Sequence, residues 1–194
     1  MFSQKRSNLI VNCDAYIDLY DKCNIGCDMC KFNRDGGSVK QIKINFSNYK
    51  NNRVLFCYKT DPYVFDDYEL VATTVKKLHS NNCKIVFLTR KANCLIKQLD
   101  IFHKDDFIGI SISENNSKNS NIENVITLLK EAEKLKLNTW LSLEPVLTSK
   151  FANEIIEKVK NHVNFVRVGK DDLIDYNWEK VKKDINVFNN IYIK

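Results

Sequence analysis

The chain has 194 residues, 44% hydrophobic and 28% charged, with five glycines and two prolines; this balance suits one globular domain over residues 1–194 and excludes linker-rich, low-complexity or repeat architectures. Its net charge of +6 comes from 25 Lys and five Arg, mostly in mixed-sign stretches such as LLKEAEKLK, so a nucleic-acid partner is permitted but not required. No apolar run approaches membrane-spanning length, and the opening MFSQKRSNLIVN is too polar for a signal peptide, so a cytoplasmic protein without a membrane partner is expected. Seven cysteines in such a setting argue for metal or redox chemistry rather than disulfides.

In chain order, CDAYIDLY (Cys13 to Tyr20) reads as a first strand, followed at once by cysteines. The segment from Asp28 to Tyr49 is broken by Gly36-Gly37, and VKQIKINF alternates like a short strand or an irregular crossover. A regular rhythm then begins. RVLFCYK (Arg53 to Lys59) is a strand, and Tyr68, Val71, Val75 and Leu78 mark one helix face. KIVFLTR (Lys84 to Arg90) is a strand, and Ala92, Leu95, Ile96 and Leu99 place the next helix. DFIGISIS (Asp106 to Ser113) is a strand. Ser120 to Glu123 forms a capping box that opens a helix with the stripe Ile122, Val125, Ile126, Leu129 and Ala132. NTWLSLE (Asn138 to Glu144) is a strand, Phe151, Ile155 and Val159 line a helix, and VNFVRVG (Val163 to Gly169) is a sixth strand. A weaker helix around Trp178 to Asp184 and a last apolar run, NIYIK, complete the chain.

Six strands alternating with helices, their central members apolar with little alternation, predict a parallel sheet buried on both faces. A complete eight-fold barrel takes ~250 residues, so six units are affordable and eight are not. Both prolines, Pro62 and Pro145, fall just past strand ends, and each follows a carboxylate, Asp61 and Glu144. Parallel α/β folds carry their sites at the C-terminal strand edge, and the cysteine loop leaves the first strand at that same edge.

Cys23, Cys27 and Cys30 stand in the spacing C-x3-C-x2-C. Thiolates are soft ligands suited to zinc or to an iron–sulfur cluster. A structural zinc site takes four protein ligands, and the three histidines, His79, His103 and His162, form no Cys-x2-His pair. Three thiolates on a [4Fe–4S] cluster leave one iron open to a cofactor or substrate.

This motif, after the first strand of an α/β chain with six βα units, resembles the radical S-adenosylmethionine (radical SAM) enzymes. The resemblance implies a (β/α)6 partial TIM barrel. It also implies a [4Fe–4S] cluster on Cys23, Cys27 and Cys30, with S-adenosyl-L-methionine at the open iron. The implied activity is reductive cleavage of that cofactor to methionine and a 5′-deoxyadenosyl radical, which takes a hydrogen atom from a substrate. An oxygen-sensitive protein is expected, with reduced flavodoxin or ferredoxin as electron donor. Many members carry Gly-Gly-Glu after the second strand; here that place holds YKTDPY, Tyr58 to Tyr63, which looks like the spore photoproduct lyase-like branch.

By that resemblance Met29 lies near the adenine and Thr60 meets the methionyl end. Arg90 faces the cofactor carboxylate, a pairing that suits the guanidinium fork. Ser111, Ser113 and Glu114 offer partners for the ribose, and S-x-E-P, Ser142 to Pro145, matches the branch at the fifth strand. Cys57 is the candidate hydrogen-atom donor, against the simpler reading of a packed strand cysteine. Cys13, Cys83 and Cys94 are single and scattered, which disfavours a second cluster, and the length leaves no room for an auxiliary-cluster domain. For Arg167 the simpler expectation is an outward ion pair; the alternative is an inward guanidinium facing a substrate phosphate. Tyr58 and Tyr63 read as ordinary packing. The substrate is not legible, with a nucleic acid or nucleotide one candidate. The alternatives are an activase for a glycyl-radical enzyme and, outside enzymology, a zinc-dependent nucleic-acid-binding module.

Overall fold

A computed structural model describes residues 13–23, 25–26, 38–114, 121–170, 176–185 and 191–193. Cys27, Met29, Cys30 and Ser120 lie outside the described residues. Among the described residues no helix is long and apolar enough to cross a membrane.

The architecture is α/β, built on one all-parallel sheet. Its strands are β1 (Ala15–Ile17), β2 (Arg53–Phe56), β3 (Lys84–Thr89), β4 (Phe107–Ile112), β5 (Asn138–Leu143), β6 (Phe165–Val168) and β7 (Ile191–Ile193). They lie side by side in chain order, so β1 and β7 are edges and the sheet is not closed. Seven strands replace the expected six. The extra one comes from the final apolar run, where Ile191–Ile193 pairs with Val166–Val168. Three residues are too few to show a strand period in the sequence.

The helices are α1 (Tyr68–Ser80), α2 (Ala92–Leu95), α3 (Ile122–Lys134), α4 (Ser149–Val159) and α5 (Trp178–Lys183). The expected helix through Leu99 is broken: α2 passes into a 3₁₀ segment, Ile96–Ile101, with Gln98 at φ −132°. The Gln98 amide is buried, accepting from the Tyr63 hydroxyl at 3.0 Å and donating to the Tyr68 carbonyl at 2.8 Å. Asn121, rather than the expected Ser120, is the N-cap of α3, and its side chain accepts from Glu123 N. VKQIKINF is an irregular crossover, with a single antiparallel bridge between Tyr20 and Gln41.

Side chains alternate between the two sheet faces, and the two faces have different partners. Val54, Phe56, Ile85, Phe87, Ile108, Ile110, Leu141, Leu143, Val166 and Val168 join the main core with the helix residues Val71, Leu78, Leu129 and Ile156. Leu55, Val86, Trp140 and Phe165, with Tyr16, Leu88 and Phe107 against them, form a second cluster on the other face. No described helix contributes to it. Trp140 and Phe165 stack at 5.6 Å, and Phe107 and Tyr192 both lie 6.1 Å from Phe165. The Trp140 indole lies over the bare backbone of Gly109 and donates to the Phe87 carbonyl at 3.2 Å. A β-carbon on Gly109 would overlap that ring.

Candidate functional site

The face without a described helix (the helix-free face) turns polar towards its C-terminal edge. Strand register sets Ser111 beside Ser142, Ser142 beside Arg167, and Arg167 beside Tyr192. Alternation puts Ser113 and Glu144 on the same face, one step nearer the edge. Arg90, just past β3, donates from Nη2 to Ser113 Oγ at 2.7 Å. Arg90, Ser111, Ser113 and Ser142 are therefore brought together at this edge. Arg90 and Ser111 also line a cleft of about 180 Å³ with Asn93, Asn121 and Asn124, where α2 and α3 begin.

Two buried carboxylates organise the loop after β2. Asp18, at the end of β1, accepts from Lys59 N at 2.8 Å, Thr60 N at 3.2 Å and Thr60 Oγ1 at 3.3 Å. Thr60 is thus fixed at the edge, with its hydroxyl turned to β1. Asp61 accepts from Tyr63 N at 2.9 Å, Arg90 N at 2.7 Å and the Thr89 hydroxyl at 2.8 Å. It ties the β2 loop to the end of β3 and so positions Arg90. Burial pushes both carboxyls above their ordinary range, opposed by these hydrogen bonds. Sequence reasoning misses Asp18; the available signal is an acid ending an apolar strand, in AYID.

Glu114 sits at the edge, with its oxygens engaged by Leu147 N at 2.7 Å, Thr148 N at 2.8 Å and the Thr148 hydroxyl at 2.6 Å. Thr148 in turn caps α4 by accepting from Phe151 N. Glu114 thus pins the loop after β5. Glu144 begins that loop with a cis bond to Pro145, and its Oε2 lies 3.6 Å from Arg167 Nη2. The expected ion pair of Arg167 is thus present, with Glu144, on the same sheet face as Trp140 and Phe165. Gly169 leaves room for Glu144, since a β-carbon there would come within 2.7 Å of its carboxyl carbon.

Of the cysteine motif, Cys23 is described: it is buried at 9% exposure, five residues past Asp18. Among the described residues no group of three potential ligands could hold a metal ion; Cys27 and Cys30 fall outside them. The histidines lie at the opposite, N-terminal sheet edge. His79 Nε2 pairs with Asp106 Oδ2 at 2.8 Å and stacks on His103 at 3.7 Å, while His162 Nδ1 is 3.1 Å from Glu133.

Cys57 directly follows β2 and has a left-handed backbone, φ +60°, which is strained for a residue with a β-carbon. Its N–H donates to the Ile17 carbonyl at 2.7 Å. Burial raises its thiol well above the usual range, so the S–H is intact at neutral pH. Cys83 donates to the Tyr49 carbonyl at 2.8 Å and Cys94 to Asp66 at 3.3 Å. Cys13 is pushed up to about 12, mainly by burial. Tyr58 packs on Tyr16 at 5.3 Å, and Tyr63 is fully buried.

No protein-family model matches the chain, and no curated protein matches it.

Proposed function

We propose that the chain is a radical SAM enzyme, with its open sheet curved as a partial barrel. One observation carries the reading: Cys23, the first cysteine of the C-x3-C-x2-C motif, follows β1 at the same sheet edge that gathers Thr60, Arg90, Ser111, Ser113 and Ser142. The curvature is supported by strands in chain order with their helices on one face, as right-handed crossovers require. It is also supported by the burial of Trp140 and Phe165 on the face that no described helix covers.

The donor set fits the cofactors. A [4Fe–4S] cluster ordinarily takes four thiolates; three would hold it with one iron left open for a cofactor, and Cys23 is sheltered at the edge. Cys23, Cys27 and Cys30 would hold the cluster, and Thr60, Arg90, Ser111, Ser113 and Ser142 would line the S-adenosylmethionine site. The bound pair would supply an electron to the sulfonium and a 5′-deoxyadenosyl radical for hydrogen-atom abstraction.

The chain's own residues orient and shield. Asp18 fixes the Thr60 hydroxyl, Asp61 fixes the Arg90 backbone, and Ser113 takes one guanidinium N–H, leaving the others for a carboxylate. Cys57 is 4% exposed and packs in the main core with Ile17 and Phe56, which favours the simpler reading of a packed cysteine over a hydrogen-atom donor.

Anaerobic reconstitution with iron and sulfide tests the metal assignment. The expected product is brown, with about four irons and four sulfides per chain. Cys23→Ala, Cys27→Ala and Cys30→Ala should each lose the absorbance, whereas Cys83→Ala should keep it. A colourless protein with stoichiometric zinc would overturn the assignment in favour of a zinc module.

A further inference from the structure

Arg167 is a poorly satisfied cation on the helix-free face. Its side chain is only 14% exposed. Even so, among the described residues none of its five N–H donors has an acceptor within hydrogen-bond distance. Its one polar contact among them is the loose 3.6 Å approach to Glu144. A largely buried guanidinium whose fork stays open to the solvent is a receptor for an oxyanion. Arg90, by contrast, is anchored to Ser113. On one side of Arg167 stands Ser142, a buried hydroxyl in register with it. On the other stands Tyr192, 49% exposed, also in register and about 4.8 Å away strand to strand. Tyr192 packs edge-to-face with Phe165, which holds the ring while much of its surface stays open. An exposed ring beside an open guanidinium matches a nucleotide, whose base stacks while its phosphate takes the fork. The net charge of +6 favours such an anion.

We propose that the helix-free face at β6 and β7 binds a phosphate-bearing nucleoside, with the phosphate on Arg167 and the base on Tyr192. That this ligand is the substrate rests on the reading of the sheet edge given above; that it binds does not.

The test is calorimetric titration of the full chain with uridine 5′-monophosphate, ribose 5-phosphate and uridine. Uridine 5′-monophosphate should bind more tightly than uridine. Arg167→Gln should weaken both phosphates by roughly 10- to 100-fold, the size of a charged hydrogen-bond loss. Arg167→Lys, which keeps the charge without the fork, should fall between, and it reads the site should Arg167→Gln not fold. Tyr192→Ala should weaken the nucleotide about 10-fold and leave ribose 5-phosphate unchanged. Glu144→Gln should hold or tighten binding, since it removes a competing carboxylate. Undetectable nucleotide binding by the wild type would overturn the proposal, as would equal affinities for Arg167→Gln and wild type. A short single-stranded oligouridylate separates the two sources of phosphate. Tighter binding with a steep salt slope assigns it to a strand; binding no tighter than the monomer assigns it to a mononucleotide. Nucleotide binding by a chain that takes up no cluster would refute the enzyme reading alone. An active enzyme that ignores nucleotides would refute this inference alone.

Discussion

Gly109→Ala is expected to destabilise the protein by roughly 3 kcal/mol, the upper range for overpacking a core. The added methyl would meet the Trp140 indole and the Phe87 carbonyl, and neither can retreat easily. The indole is held by its bond to that carbonyl and by its stack on Phe165. Gly109→Val should be worse. Trp140→Phe in the alanine background should recover part of the loss, because it removes the nitrogen edge that the methyl meets. A coupling of about 1 kcal/mol or more in the double-mutant cycle, by urea denaturation, would establish that the two positions share one space. Additive losses would mean that the helix-free face is loosely packed, and would remove a support for the proposed partial barrel.

Asp61→Asn is the second large effect. Tyr63 N, Arg90 N and the Thr89 hydroxyl all donate to Asp61. Whichever way the substituted side-chain amide turned, its NH₂ would face one of those backbone N–H groups. A protonated Asp61 avoids this, because its O–H can point at the Thr89 hydroxyl. The expected cost at acid pH is about 3 kcal/mol. Its pH dependence has a definite sign. Burial raises the folded-state pKa of Asp61, so the folded protein holds this proton more tightly than the unfolded chain. That contribution is full below the unfolded carboxylate value of about 3.9 and is lost as pH rises through the raised folded value. The stability gap between wild type and Asp61→Asn should therefore narrow as pH rises. Urea titrations at a series of pH values measure it. A gap that widens with pH would mean that the hydrogen bonds outweigh burial and hold the carboxyl low.

Much of this architecture is legible because each central strand is a short apolar run and each long helix repeats at 3.6 residues. RVLF, KIVFLT and FIGISI need no tertiary information to be read as strands. The misses share a physical cause, since each depends on a partner distant in sequence. Ile191–Ile193 is a strand because Val166–Val168 offers it a ladder. Gln98 leaves helical geometry where its buried amide bridges Tyr63 and Tyr68. For Arg167 the face is set by register, and the looseness of its pairing with Glu144 is visible only with its neighbours in place. Thr60 stands out by its place in KTDPY, but nothing in that stretch names Asp18 as the group that holds it. The cysteine motif is legible because its three thiols are close in sequence, whereas the proposed nucleotide surface is spread over β6 and β7.

The most direct measurement is 5′-deoxyadenosine produced after dithionite reduction of the anaerobically reconstituted protein with S-adenosylmethionine, wild type beside Cys27→Ala. A radical SAM enzyme forms 5′-deoxyadenosine and methionine in equal amounts, and the Cys27→Ala protein forms neither. A wild type that carries a full iron–sulfur cluster yet yields no 5′-deoxyadenosine would contradict the account.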